Sequence, residues 1–271
     1  MKRLVKRVVA SAGLLEPGRC VYGILRHTRP SVLARELRYR VSGLPDGFAA
    51  PPPGHIYLII GTIWSAVYYD SGRAIVARMM QELRQCGVDP DRFTAVLDFG
   101  CGCGRLIRHL HLPGAQLYGT DYNPDLVAWC NRSLPGAVFS VNSLAPPLTF
   151  PDASLDWIYA RSVFTHLDDE LQRRWMAELR RVLRRDGIVY LTTHGRATSH
   201  SLTREELRRF EAGEMIVQRA GEEGTNRCST FHPLTYVRDR LAEGFVSLGA
   251  FEGTPESTFL QDVHILQKQS G

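Results

Sequence analysis

No stretch of this 271-residue chain approaches the roughly 18–20 apolar residues that a membrane-spanning helix needs. The longest, Ile56 to Val67, is interrupted by Gly61 and Thr62. Paired cysteines are scarce as well. Of the six cysteines only Cys101 and Cys103 lie close together, and no His/Cys set at zinc-finger spacing accompanies them. This excludes a disulfide-framed secreted domain and gives no metal site, so the expectation is free thiols in a reducing cytoplasm. The start has a basic beginning and an Ala10-Ser11-Ala12 triplet, but its apolar part, Val8 to Leu15, is short and diluted by Ser11 and Gly13. A cleaved signal peptide is not expected. There is no internal repeat, no low-complexity tract and no G-x-x-x-x-G-K-[ST] phosphate loop. A basic excess is missing from most of the chain. Residues 1–40 hold ten Lys/Arg and two Asp/Glu, whereas the remainder is slightly acidic. A nucleic-acid enzyme carries basic residues around its site, so no nucleic-acid partner is expected.

What is present is an ordinary globular balance, 44% hydrophobic and 23% charged, in a length that suits one large α/β domain with an appended segment. Residues 1–54 form a basic, partly helical arm ending in the turn signals Gly43-Leu44-Pro45-Asp46-Gly47 and Pro51-Pro52-Pro53-Gly54. Within it, Leu4, Val5, Val8 and Leu15 fall on one side of a helical wheel, opposite Lys2, Arg3, Lys6 and Arg7. Residues 1–15 are therefore a candidate for peripheral contact with anionic lipid, weighed against a packing helix with a solvated basic face. Residues 55–271 form the main domain. Residues 55–92 read as helices, and short β-branched runs then alternate with helical patterns. Strands are expected at 95–99, 116–120, 137–141, 155–159, 188–193, 245–251 and 263–267. Helices are expected at Pro124–Ser133, with its early proline, and at Asp168–Leu183, with acids first and arginines last. That order gives a Rossmann-like α/β fold, a seven-stranded mostly parallel sheet with helices on both faces. Residues 197–232 form an insertion longer than the roughly 2–6 residues of an ordinary αβ connection.

The most informative segment is Val96-Leu97-Asp98-Phe99-Gly100-Cys101-Gly102-Cys103-Gly104-Arg105. An apolar strand ends in an acid and turns through alternate glycines, which suits backbone that must take positive φ or approach a ligand closely. A dinucleotide loop wants G-x-G-x-x-G, and its third place falls here on the bulky Arg105. A second acid, Asp121, ends the next strand in Leu117-Tyr118-Gly119-Thr120-Asp121. A carboxylate there can accept from both hydroxyls of a ribose; the plain alternative is a helix cap.

The G-x-G-x-G pattern resembles motif I of class I S-adenosylmethionine-dependent methyltransferases. The resemblance continues through Phe150-Pro151-Asp152-Ala153-Ser154-Leu155-Asp156 and Leu179-Arg180-Arg181-Val182-Leu183-Arg184-Arg185-Asp186-Gly187. In the latter, Arg185 and Asp186 replace the family's usual Pro-Gly. It is strong over 93–195 and looser over 55–92 and 230–267. With Ser162-Val163-Phe164-Thr165-His166-Leu167, the likeness leans toward bacterial enzymes acting on saccharides or secondary metabolites. The resemblance implies S-adenosylmethionine as cofactor. Asp98 would lie near its methionine amino end, Gly100, Cys101, Gly102 and Gly104 would shape the pocket, and Asp121 would take the ribose. Tyr122 would flank the adenine, Asn142 and Ser143 would face its edge, and Arg161 and Ser162 would line the methionine end through backbone atoms.

Trp64, Tyr68 and Tyr69 precede the first strand and would close a lid over the cofactor, against plain aromatic core packing. His166 and His194, at the ends of the fourth and fifth strands, are the candidate catalytic bases. The bland readings are a helix-entry residue for His166 and a solvent-exposed loop residue for His194. His232 reads as a turn residue. Neither the Asn/Asp-Pro-Pro-aromatic motif of base-amino methyltransferases nor the acidic metal cluster of catechol-type enzymes is evident. The expected reaction is methyl transfer to an oxygen or nitrogen of a small-molecule or saccharide acceptor. The alternatives are a degenerate methyltransferase fold serving as a binding or scaffold protein and, disfavoured by Arg105, a nicotinamide-dependent oxidoreductase.

Overall fold

The structure is a computed structural model that describes residues 29–254 and 259–269. The amphipathic segment 1–15 lies outside the described residues. Among those described, no helix is long and apolar enough to cross a membrane.

Helix α1 (Pro30–Ser42) begins with its proline at the first turn, where a missing N–H costs nothing. It is not a detached arm. Its buried Glu36 accepts from the backbone N–H of Ala66 at 2.9 Å, which satisfies a free donor at the start of α3 (Ser65–Gln85) and places negative charge on the positive end of that helix. Tyr39 and Arg35 both reach Asp70 of α3. Farther on, Asp46 holds the fully buried guanidinium of Arg108 through two hydrogen bonds of 2.7 and 3.1 Å. Residues before 54 thus pack against α3 and Arg108. Helix α2 (Pro53–Ile60) is apolar and ends at Gly61 in the left-handed conformation.

The expected seven-stranded sheet is found. Its strands are β1 (Ala95–Phe99), β2 (Gln116–Asp121), β3 (Ala137–Val141), β4 (Leu155–Ala160), β5 (Leu183–Thr193), β8 (Phe245–Phe251) and β9 (Asp262–Lys268). The order is β3-β2-β1-β4-β5-β9-β8. Strands β1 to β5 are parallel, and β9 inserts antiparallel between β5 and β8. Alternation along the central strands sorts the core into two layers. Leu97, Phe99, Ile158 and Leu191 pack under Trp175 and Leu179 of α5 (Asp169–Val182). Val96, Trp157, Tyr159 and Ile188 pack under Met79 and Leu83 of α3. Each such buried apolar side chain contributes roughly 1.5–3 kcal/mol. The chain reverses at β1, leaving a crevice above the carboxyl ends of β1, β2 and β4, where open α/β sheets bind ligands.

Strand β5 begins earlier than expected, at Leu183. The pairing with β4 slips between Leu155 and Trp157, and Asp186 takes a φ of 57°. Helix α4 (Pro124–Ser133) follows β2. The 197–232 insertion contains α6 (Arg204–Glu211), with a Thr203–Glu206 capping box, and a short hairpin of β6 (Ile216–Gln218) and β7 (Ser229–Phe231). Helix α7 (Leu234–Tyr236) continues in a π-helical turn to Leu241.

Candidate active site

The crevice is a cavity of about 420 Å³, within the usual range for small-molecule sites. Its floor is the turn after β1. Gly100 and Gly102 have φ of 77° and 55°. A Cβ at Gly100 would meet Val163 Cγ2 at 2.3 Å, and one at Gly102 would meet Ile59 Cδ1 at 2.4 Å. Both the backbone conformation and the space above it thus require glycine. The Asp121 carboxylate holds this turn in place. One oxygen accepts from Gly102 N–H and the other from Asn123 N–H, each at 2.8 Å.

Asp98 lies beneath, fully buried at the end of β1. One of its oxygens is without a hydrogen-bond partner. Desolvation pushes its pKa up to about 7, and the neighbouring Tyr159 hydroxyl opposes part of that rise. Arg105, read in the sequence only as an obstacle to a dinucleotide, also lines the cavity, and its Nε is buried without a partner. At the other end are Tyr122, Asn142, Ser143 and Leu144.

The wall after β4 carries Arg161, Ser162 and Val163, then a 3-10 turn over Phe164–His166. His166 Nδ1 lies 2.7 Å from the carbonyl of Cys228. A carbonyl only accepts, so that nitrogen bears the hydrogen and Nε2 carries the lone pair. Burial lowers the His166 pKa, leaving the ring neutral near pH 7. The same turn is sewn to the insertion twice more, by Gly224 N–H to the His166 carbonyl at 2.9 Å and by Thr230 Oγ1 to the Leu167 carbonyl at 2.6 Å. The roof comes from Leu58 and Ile59 of α2 and from residues 224–227, joined by Asn226 Nδ2 donating to the Leu58 carbonyl at 2.7 Å.

Asp98, Gly100, Cys101, Asp121, Tyr122, Asn142, Ser143, Arg161 and His166 thus line one cavity. Gly102 and Gly104 shape the turn behind its surface; a Cβ on Gly104 would strike Leu134. Three expectations need correction. Tyr69 does not reach the cavity, because it packs edge-on between Tyr39 and His109. Tyr68 is fully buried, donating to the Cys103 carbonyl at 2.6 Å, so the aromatic face of α3 is core and not a lid. His194 is neither exposed nor at the pocket mouth. It is half-buried, its ring centroid 6.3 Å from that of His166, and desolvation takes its pKa down to about 4. His232, expected as a turn residue, is buried against Gln172.

Residues 97–191 match the methyltransferase domain family. Over 103 residues the chain is 34% identical to a Mycobacterium tuberculosis protein named as a probable S-adenosylmethionine-dependent methyltransferase, covering 38% of this chain and 36% of that protein. The chain thus spans about a third of the length of the curated relatives it matches. A SAM-dependent methyltransferase structure from Methanosarcina mazei superposes with a TM-score of 0.51 at 23% identity, over 65% of this chain and 93% of that one. A Burkholderia thailandensis 1,6-didemethyltoxoflavin-N1-methyltransferase, solved with 1,6-didemethyltoxoflavin and S-adenosylhomocysteine, gives 0.54 at 15%, over 90% and 92%. These two likenesses establish the fold. The family match holds the acid-flanked glycine turn and Asp121, and the curated relatives are named as dependent on S-adenosylmethionine.

The residues present suit that cofactor. The glycine floor lies where a Cβ would collide, the orphaned Asp98 oxygen can accept from an ammonium, and each Asp121 oxygen keeps a lone pair beyond its backbone contact.

Proposed function

We propose that this chain transfers a methyl group from S-adenosylmethionine to an oxygen or nitrogen of a small-molecule or saccharide acceptor. The observation that carries this reading is a single cavity with a glycine turn tied to Asp121 on its floor and the unprotonated Nε2 of a tautomer-locked His166 in its wall. When bound, the cofactor supplies an electrophilic methyl group on a sulfonium, open to in-line displacement.

The residues around it do the rest. Asp121 and the glycine turn fix the ribose, Asp98 takes the methionine ammonium, and Tyr122 with Asn142 and Ser143 flanks the adenine. His166 accepts the proton that an acceptor hydroxyl gives up. The roof of Leu58, Ile59 and residues 224–227 excludes water and aligns the acceptor, which is where much of the rate of a displacement reaction comes from.

Calorimetry with S-adenosylhomocysteine, S-adenosylmethionine and NAD in parallel tests the assignment. The thioether and the sulfonium are expected to bind and NAD is not. NAD binding with no response to S-adenosylhomocysteine would reverse it.

The roof makes a separate expectation. Asn226→Ala removes one neutral hydrogen bond, worth about 0.5–1.5 kcal/mol, between segments 168 residues apart. Acceptor KM is expected to rise about three- to tenfold while thermal stability changes little. An unchanged KM would show that the junction does not shape the acceptor site.

A further inference from the structure

The wall next to His166 carries more positive charge than cofactor binding uses. We propose that the acceptor is an anionic molecule whose carboxylate or phosphate is read by the Arg161 side chain. The inference rests on the methyltransferase reading above and deepens it by naming the acceptor's chemical class.

Arg161 leaves the end of β4 and lines the cavity. Its Nη1 donates to Thr192 Oγ1 at 3.3 Å and to Gln261 Oε1, both neutral acceptors. Among the described residues, the half-buried Arg161 makes no hydrogen bond through Nε or Nη2, and no carboxylate stands within ion-pair distance. Arg105 is the second guanidinium in the same cavity, with its Nε unpartnered and Nη1 reaching only Ser71 Oγ at 3.4 Å. The nearby acids do not balance the pair. Glu82 is engaged by Arg78 at 2.5 Å and by the Tyr190 hydroxyl at 2.7 Å. That leaves Asp98.

Desolvation and the neighbouring Arg105 bring the Arg161 pKa down to about 10, so the group is still a cation at neutral pH. The cofactor does not close this gap, because it brings an ammonium and a sulfonium against one carboxylate. Even with Asp98 and Asp121 ionised, four positive groups then face three negative ones. Cations held out of water without counter-charge are costly. An acceptor that places an anion on Arg161 relieves that cost. The guanidinium suits the task, since Thr192 and Gln261 fix its plane while Nε and Nη2 remain as a fork for bidentate binding. Arg161 and His166 line the same cavity, so one molecule can place its anion on the first and its hydroxyl at the second.

The test is calorimetry on the full chain saturated with S-adenosylhomocysteine, at low ionic strength. The probes are D-glucuronate and benzoate, their neutral counterparts D-glucose and benzamide, and inorganic phosphate. The charged probes are expected to bind at least about tenfold tighter than the neutral ones. The ranking of phosphate against the carboxylates tells which anion the site takes. Arg161→Met is expected to abolish the preference in a folded protein that still binds S-adenosylhomocysteine. Arg161→Lys, which keeps the charge and loses the fork, is expected to retain part of the preference and serves if the methionine variant does not fold. Equal binding of charged and neutral probes overturns the proposal. So does an anion preference that survives Arg161→Met, or loss of S-adenosylhomocysteine binding in a folded Arg161→Met, which would give the side chain to the cofactor. Failure of the parent protein to bind S-adenosylhomocysteine is a different result, and it removes the methyltransferase reading itself.

Discussion

Replacing Asp121 with alanine is expected to weaken S-adenosylhomocysteine binding by about ten- to a hundredfold, in line with roughly 1–3 kcal/mol for hydrogen bonds to a charged group. Two losses act together. The first is a ribose contact, since each carboxylate oxygen keeps a lone pair after taking one backbone N–H. The second is order in the turn, because Gly102 N–H gives its hydrogen to Asp121 and would be left unpaired in a buried segment. Asp121→Asn is expected to be nearly as damaging. Its amide has one acceptor atom where two backbone donors converge, so its NH₂ must face one of them. The capping explanation makes a different forecast, and the structure already assigns that task elsewhere. Asn123 is the residue whose side chain accepts from Asp125 and Leu126 at the start of α4. Calorimetry on folded variants decides the matter, and unchanged affinity in Asp121→Ala would show that the carboxylate only braces the loop.

What was legible in the sequence was local. Glycines at alternate positions after an acid-ended strand state their own conformational requirement, so the floor of the site could be placed before any contact was known. The strands at 95–99 and 137–141 were legible because apolar runs bounded by turn residues need no distant partner to identify them. The roof was not. It depends on Asn226 meeting the Leu58 carbonyl across most of the chain, and no periodicity carries that information. Tyr68 and Tyr69 show the opposite limit. An aromatic stripe on a helix fits a lid and a core equally well, and only packing against Cys103, Tyr39 and His109 separates the two. Arg105 shows a related limit. Its bulk is apparent from sequence, whereas its unpartnered Nε in the cavity wall depends on the surrounding fold. The hairpin β6–β7 has strands too short to register as a pattern, yet its connecting loop and β7 carry the groups that position His166.

His166→Gln is expected to lower kcat by about 10²–10⁴-fold, the usual contribution of a positioned base, with S-adenosylhomocysteine affinity within about twofold of the parent. The argument begins with Cys228, whose carbonyl can only accept and so fixes the hydrogen on Nδ1. Nε2 is then the basic nitrogen, in a ring that lines the cavity. Burial disfavours the imidazolium and moves the pKa below its ordinary 6.5. The neutral, active form therefore persists through neutral pH. The rate is expected to be level above about pH 6.5 and to fall on acidification, as the ring takes up a proton and loses its lone pair. The half-buried His194 beside it adds no competing charge, since desolvation takes its pKa down to about 4. Glutamine offers an amide N–H for the Cys228 carbonyl and comparable bulk, so a merely structural role would survive the substitution, whereas proton transfer would not. The measurement is kcat against pH for parent and variant with an acceptor that is turned over. A variant within about threefold of the parent that keeps the acidic limb would make His166 a packing residue. A fall of two or more decades with loss of that limb is the signature of a base.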